Sequence, residues 1–176
     1  SNSNESEVII NGSLFEGTSP LTASGRLKIR GNVIQGTASS GFNTRTGQGY
    51  LGFNSNDFKI DTSHGFNFNS HANLLESLPV LITDGRKYTS NTSIVRQNTS
   101  VGYDAEGNYI VTIVTTNGTH SYSRIADLVL SSGLGVKSLL NLDGGGSTGI
   151  VVKTDGLEMV SSPGRLIPGI VTFNKN

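Results

Sequence analysis

Apolar residues fall in short runs rich in β-branched side chains, separated by Gly, Asn, Ser and Thr. Val8-Ile9-Ile10 leads straight into Asn11-Gly12-Ser13 and predicts a buried strand ended by a turn. Residues 27–36 alternate, with Leu27, Ile29 and Val33 set against Lys28, Arg30 and Asn32, which predicts two strands around Arg30-Gly31-Asn32. Further strands are expected at 50–53, 58–60, 80–83, 138–140, 150–153, 157–160 and 167–173. The clearest hairpin joins 100–103 to 109–115 through Asp104-Ala105-Glu106-Gly107-Asn108.

Two segments have helical spacing. Residues 122–132 place Ile125, Leu128 and Val129 on one face beside Ala126, with Ser121 or Ser123 to cap the start and Gly133 or Gly135 to end it. Residues 71–78 carry Leu74, Leu75 and Leu78 at i, i+1 and i+4, and predict a helical turn or two stopped by Pro79. The polar stretches 37–49 and 61–70 are expected as long surface loops, and they carry Phe42, Phe66 and Phe68. Many short strands without regular β-α-β alternation predict an α+β fold: a mixed, largely antiparallel sheet with about two packed helices. Residues 1–7 form a flexible N-terminus and 8–176 a single domain. A strand so near the start implies that upstream sequence was trimmed or is carried elsewhere.

Composition narrows the classes. At 176 residues the chain can bury a core without staples. Apolar residues make up 34% and charged ones 15%, and Gly (23 residues) fills much of the gap, as in a protein of strands and tight turns. Net charge is zero, which leaves no electrostatic footprint for nucleic acid. No apolar run approaches the ~18 residues of a membrane span. Without cysteine there is no disulfide and no thiolate metal site. The Asn/Ser/Thr-rich surface favours an extracellular, cell-surface or virion-associated setting.

One stretch carries chemistry above the rest: Asn141-Leu142-Asp143-Gly144-Gly145-Gly146-Ser147-Thr148. A strand ends at an acid, three glycines and two hydroxyls follow, and Ile150-Val151-Val152 begins a second strand. Successive glycines let main-chain N–H groups converge and a ligand approach closely. A carboxylate beside such a nest suits an anionic substrate. The bland alternative is a tight turn, for which two glycines would suffice. Gly144-x-Gly146-x-x-Gly149 matches the dinucleotide fingerprint literally but precedes a strand rather than a helix, and no acid follows about 20 positions on. There is no Walker loop, no Gly-x-Ser-x-Gly elbow, and no zinc spacing among His64, His71 and His120.

Other candidates are Asn11-Gly12-Ser13-Leu14-Phe15-Glu16, a polar turn at a strand end, and Arg165 beside Pro163 and Gly164. Arg96 lies near Asn98 and Thr99. Each arginine is either a cation for a phosphate or carboxylate or a solvated loop residue.

Together these segments resemble the phosphodiester glycosidase family. Asn141–Thr148 resembles its glycine signature, 11–15 its Asn-Gly-Gly-Phe-Phe segment, and Arg165 with Pro168 its closing Arg-x-x-Pro. The likeness runs from Val8 to Phe173. Ser13, Leu14 and Asn98 depart from the family pattern, and Arg96 is positioned to supply the cation expected at 98.

The resemblance implies a hydrolase cleaving the bond between a sugar anomeric carbon and a phosphodiester oxygen, in a cell-surface polysaccharide or a teichoic-acid-like cell-wall polymer. It implies Asp143, Arg165, Arg96 and Glu16 as catalytic residues. Asn11, Gly12, Asn141, Gly144, Gly145, Gly146, Ser147 and Thr148 would bind substrate. No cofactor is required, and calcium is admissible near the acids although no ligand spacing demands it. The competing class is a non-catalytic carbohydrate-binding module, or a structural subunit of a phage tail or surface assembly, with Phe42, Phe66 and Phe68 stacking on sugar. A homo-oligomer or larger assembly fits that second reading.

Overall fold

The computed structural model describes residues 7–17, 20–38, 47–54, 57–62, 67–88, 95–114, 120–161, 164–165, 167 and 169–174. Among the described residues there are sixteen strands and one α-helix, and the strands form antiparallel sheets. A four-stranded sheet runs β15 (Leu157–Ser161), β14 (Ile150–Thr154), β1 (Glu7–Asn11), β16 (Ile170–Asn174). A five-stranded sheet runs β10 (Arg86–Lys87), β9 (Val80–Thr83), β13 (Val136–Asn141), β11 (Asn98–Asp104), β12 (Tyr109–Val114). A second five-stranded sheet runs β5 (Asn32–Gln35), β4 (Leu27–Ile29), β8 (Asn73–Ser77), β6 (Gly49–Phe53), β7 (Phe58–Thr62). A two-stranded ribbon pairs β2 (Phe15–Glu16) with β3 (Thr22–Ala23).

The α+β expectation with about two packed helices is therefore overturned. The protein is mostly β, and its one helix among the described residues is α1, Tyr122–Leu130. The error lies at 71–78. The Leu74-Leu75 doublet fits either period, and the tertiary setting decides. Residues 73–77 form β8 between β4 and β6, with Leu75 opposite both Leu27 and Leu51. Consecutive strand residues face opposite ways, so Leu75 enters the shared core while Leu74 and Glu76 lie on the other face. Pairing on both edges satisfies the strand's main-chain groups, which an isolated one-turn helix could not match. The buried Glu76 carboxylate is answered three times by Arg26, through its main-chain N–H at 2.9 Å, Nε at 3.1 Å and Nη2 at 3.4 Å.

The main core lies where the three larger sheets meet. Ile10 and Val171 come from the first, Val80, Val101 and Leu140 from the second, and Leu51, Ile60 and Leu75 from the third, with Leu142 among them. The β9–β13–β11 sheet is covered on both sides. Leu140 faces this core, whereas its neighbour Leu139 packs with Leu81, Ile82 and Val136 against Ile125, Ala126 and Val129 of α1. Ser121 caps α1 by accepting from the Arg124 amide at 3.2 Å. Lys87 of β10 ties the helix down through Ser123 Oγ at 2.8 Å and Asp127 at 2.7 Å. Among the described residues no helix is long and apolar enough to cross a membrane.

Candidate active site

Residues 143–149 cross from one sheet to another. They leave β13 after the buried Leu142 and enter β14, which pairs with β1. The end of β1 lies against them. Asn11 Nδ2 donates to the Asp143 carbonyl at 2.7 Å, and Asn11 Oδ1 accepts from the Gly149 amide at 3.1 Å and Thr99 Oγ1 at 2.5 Å. Gly12 continues the seam: its N–H donates to the Gly169 carbonyl at 2.9 Å, and its carbonyl accepts from the Asp143 amide at 3.2 Å. Asn141 is also committed to the protein. Its Nδ2 donates to the Leu78 carbonyl at 2.6 Å, and its Oδ1 accepts from Asn98 Nδ2. Ser100 Oγ in turn donates to Asn98 Oδ1 at 2.6 Å. So Asn11, Gly12 and Asn141 stand beneath the loop rather than over it.

The glycine run is tightly wired. The amide of Gly144 donates to Asp143 Oδ1 at 2.9 Å, and that of Gly145 to the Gln97 carbonyl at 2.9 Å. The amides of Ser147 and Thr148 donate to the carbonyls of Gly144 and Gly145, at 3.2 and 3.1 Å, closing a single 3-10 turn over Gly145–Ser147. With Gly149 bound to Asn11, only the exposed Gly146 amide in this run lacks an acceptor among the described residues. The main-chain donors therefore do not converge on one anion, contrary to the nest expected from the sequence. Glycine is needed for another reason. A Cβ on Gly144 would stand 2.6 Å from the Gln97 carbonyl oxygen, so the close approach of 95–98 requires its absence. Gly145 sits at φ 59°, in the left-handed region.

Cationic side chains supply what the amides do not. Arg165 Nε donates to Ser147 Oγ at 2.7 Å, Nη2 reaches Asp143 Oδ2 at 3.4 Å, and the guanidinium lies 4.8 Å from the centre of the Phe15 ring. The Asp143 side chain is 8% exposed and that of Arg165 51%. Arg96 borders the run from the other side: its Cδ stands 3.5 Å from where a Cβ on Gly144 would lie. It is exposed and makes no hydrogen bond or ion pair among the described residues. Its main chain is fixed on both sides, by the Val95–Ser121 bridge and the Gly145–Gln97 hydrogen bond. The Thr148 hydroxyl is buried without a partner among the described residues. Glu16 is exposed on β2, next to Phe15 in sequence, and by strand alternation faces away from the ring that meets Arg165.

The structure thus brings Asp143, Arg165 and Ser147 together, with Arg96 against the adjoining Gly144, on a frame supplied by Asn11, Gly12 and Asn141. Phe15 was quoted in the sequence only as part of a segment; its role under a guanidinium needs the fold. Of the aromatic loop residues, Phe42 and Phe66 lie outside the described residues, as do His64 and Pro168. Phe68 is engaged by cations, with Lys28 Nζ 5.0 Å and Arg26 5.9 Å from its ring centre. His71 is bound by Asp57 at 3.0 Å and Ser70 at 2.7 Å. Among the described residues no three of His, Asp or Glu gather to hold a metal ion.

A shielded carboxylate in contact with one guanidinium, with a second arginine alongside the neighbouring Gly144, can steady positive charge at a sugar carbon and negative charge on a departing phosphate. The chain spans 86% of its own length and 54% of the other in a match to the zebrafish N-acetylglucosamine-1-phosphodiester α-N-acetylglucosaminidase catalytic domain, auto-inhibited by its pro-peptide, at TM-score 0.61 and 18% identity. It matches a hypothetical protein from Synechocystis at TM-score 0.61 and 14% identity, over 95% of this chain and 51% of that one. At such identities these structures share the fold, and the chain spans about half their length. Among curated proteins none matches. The profile of the phosphodiester glycosidases (NAGPA) matches residues 4–173, and on that extent the chain belongs to the phosphodiester glycosidase family.

Proposed function

We propose that the chain hydrolyses the bond between a sugar anomeric carbon and a phosphodiester oxygen. The observation that carries this reading is the buried Asp143 carboxylate in contact with Arg165, with Arg96 against the adjoining Gly144, within a chain of this family. The C1–O bond breaks with its electron pair leaving on the phosphate oxygen, and water supplies the new C1–O bond and releases one proton to the solvent. A phosphate monoester is a weak base, so its departure needs charge compensation more than a strong acid. Arg96 and Arg165 provide that compensation. Asp143 faces the oxocarbenium-like carbon. Calcium is not needed for this chemistry, and a chelator is expected to leave turnover unchanged.

The substrate class is a glycosyl-1-phosphodiester, such as a repeat of a teichoic-acid-like or other cell-surface polymer, met in an extracellular or virion-associated setting. The test uses an N-acetylglucosamine-1-phosphodiester and follows release of reducing sugar. The wild type should release it, and Asp143→Asn should lose about two decades or more of turnover with its unfolding midpoint retained. Wild-type protein that releases no reducing sugar from any glycosyl-1-phosphodiester overturns the reading.

A further inference from the structure

Arg165 is a half-exposed side chain laid against a closely held carboxylate. Asp143 is pinned through its amide, its carbonyl and Oδ1, by Gly12, Asn11 and Gly144. Among the described residues its second oxygen meets only Arg165, at a distance of 3.4 Å that is long for a charge-assisted hydrogen bond. The remaining holds on Arg165 among the described residues are the Ser147 hydroxyl and the face of Phe15, both uncharged. Half the arginine side chain is in water, where an ion pair contributes little. With both carboxylate oxygens engaged and the side chain 8% exposed, a sugar carbon reaches Asp143 only after Arg165 withdraws.

We propose that Arg165 is a guard over Asp143 which an anionic substrate removes, so that the site discriminates phosphodiesters from neutral glycosides. This rests on the hydrolase reading above. A phosphodiester oxygen offers the guanidinium short, paired, charge-assisted bonds of about 2.8 Å that the present contact does not make. The arginine moves to the phosphate and Asp143 is uncovered where C1 arrives. A neutral glycoside brings no anion and leaves the guard in place. Selectivity then comes from a barrier against the wrong substrate as well as attraction of the right one.

The test compares kcat/KM for a glycosyl-1-phosphodiester with that for the neutral 4-nitrophenyl α-glycoside of the same sugar. In Arg165→Met the phosphodiester value should fall by about a hundredfold while the neutral value rises. Equal losses on both substrates overturn the proposal. Phe15→Leu keeps the charge and removes its aromatic seat, so a variant that fails to fold at 165 does not end the test. It should raise neutral-glycoside turnover, and a fall there counts against the guard. A wild-type crystal soaked with inorganic phosphate gives a result independent of turnover. Phosphate held by Arg165, with its contact to Asp143 opened, supports the proposal even if no phosphodiester is hydrolysed. Phosphate absent, or bound with that contact intact, overturns it even if the enzyme is active.

Discussion

The Asn11 carboxamide donates to the carbonyl of Asp143 and accepts from the amide of Gly149, so one side chain clasps both ends of the loop that carries the candidate carboxylate. The two residues are 132 positions apart in the chain. A clasp of this kind ties the first strand of the fold to the loop after β13, and the geometry of Asp143 inherits its precision from β1.

Asn11→Ala is therefore expected to hurt twice. It strands the Gly149 amide, the Asp143 carbonyl and the Thr99 hydroxyl, all in buried surroundings, and each such group costs about 1–3 kcal/mol. Denaturant unfolding should show a loss of about 3 kcal/mol or more. Where the protein still folds, kcat should drop while KM holds, because Asn11 is committed to the loop and not to substrate. A raised KM at constant kcat would instead make Asn11 a substrate contact.

Gly144 tests the close approach. Gly144→Ala drives a Cβ to 2.6 Å from the Gln97 carbonyl oxygen and must displace the segment that carries Arg96. Overpacking of this sort costs about 1–3 kcal/mol. Gly146→Ala is the control: its nearest neighbour would be the flexible Arg165 side chain at 3.5 Å. Thermal unfolding and turnover should both fall more for the first variant than for the second.

Much of this site was legible before the fold was known, and the rest was not for physical reasons. The acid and the glycines announce themselves because few other contexts need three glycines after an aspartate, whereas the arginines read equally well as solvated loop residues. What the glycines do was misjudged, since a main-chain N–H declares nothing in sequence about its acceptor. Gln97, Asn11 and the carbonyls of the turn had already taken those donors. Most of the longer strands were legible in their runs and alternation, whereas the two-residue strands β2, β3 and β10 were not, and α1 was legible in its spacing, with Ser121 rather than Ser123 as its cap. Residues 71–78 failed because two adjacent leucines fit both periods, and only β4 and β6 on either side decide for a strand.

Asp104 gives a prediction in pH. Its carboxyl is held below its ordinary value of 3.8, first by the Asn108 side chain at 2.7 Å, with the amides of Asn108, Glu106 and Gly107 also lowering it. A group depressed in the folded state adds stability above its unfolded value and loses it as pH falls through the folded one. The contribution of the β11–β12 turn is thus fully present above about pH 4 and fades in more acid solution. Asn108→Ala should unfold more easily than wild type at pH 6, with the gap closing towards pH 2. A gap that widens on acidification would contradict the assignment.

Arg96 is the remaining cation, and its setting predicts a clean kinetic signature. The main chain around it is fixed at Val95 and Gln97, while its guanidinium has no protein partner among the described residues. Little folding energy depends on its charge, so Arg96→Met should unfold within about 0.5 kcal/mol of wild type. Its charge is available to the phosphate as soon as substrate binds. Removing it should lower kcat/KM for a glycosyl-1-phosphodiester by about tenfold or more, the value of one charge-assisted hydrogen bond, with KM raised and kcat lowered, because the departing phosphate gains charge in the transition state. The wild-type KM should rise with added salt, and that dependence should flatten in the variant, since an exposed charge acts through screened attraction. Steady-state rates measured at two ionic strengths decide it, and a variant with unaltered KM at both would remove Arg96 from substrate recognition.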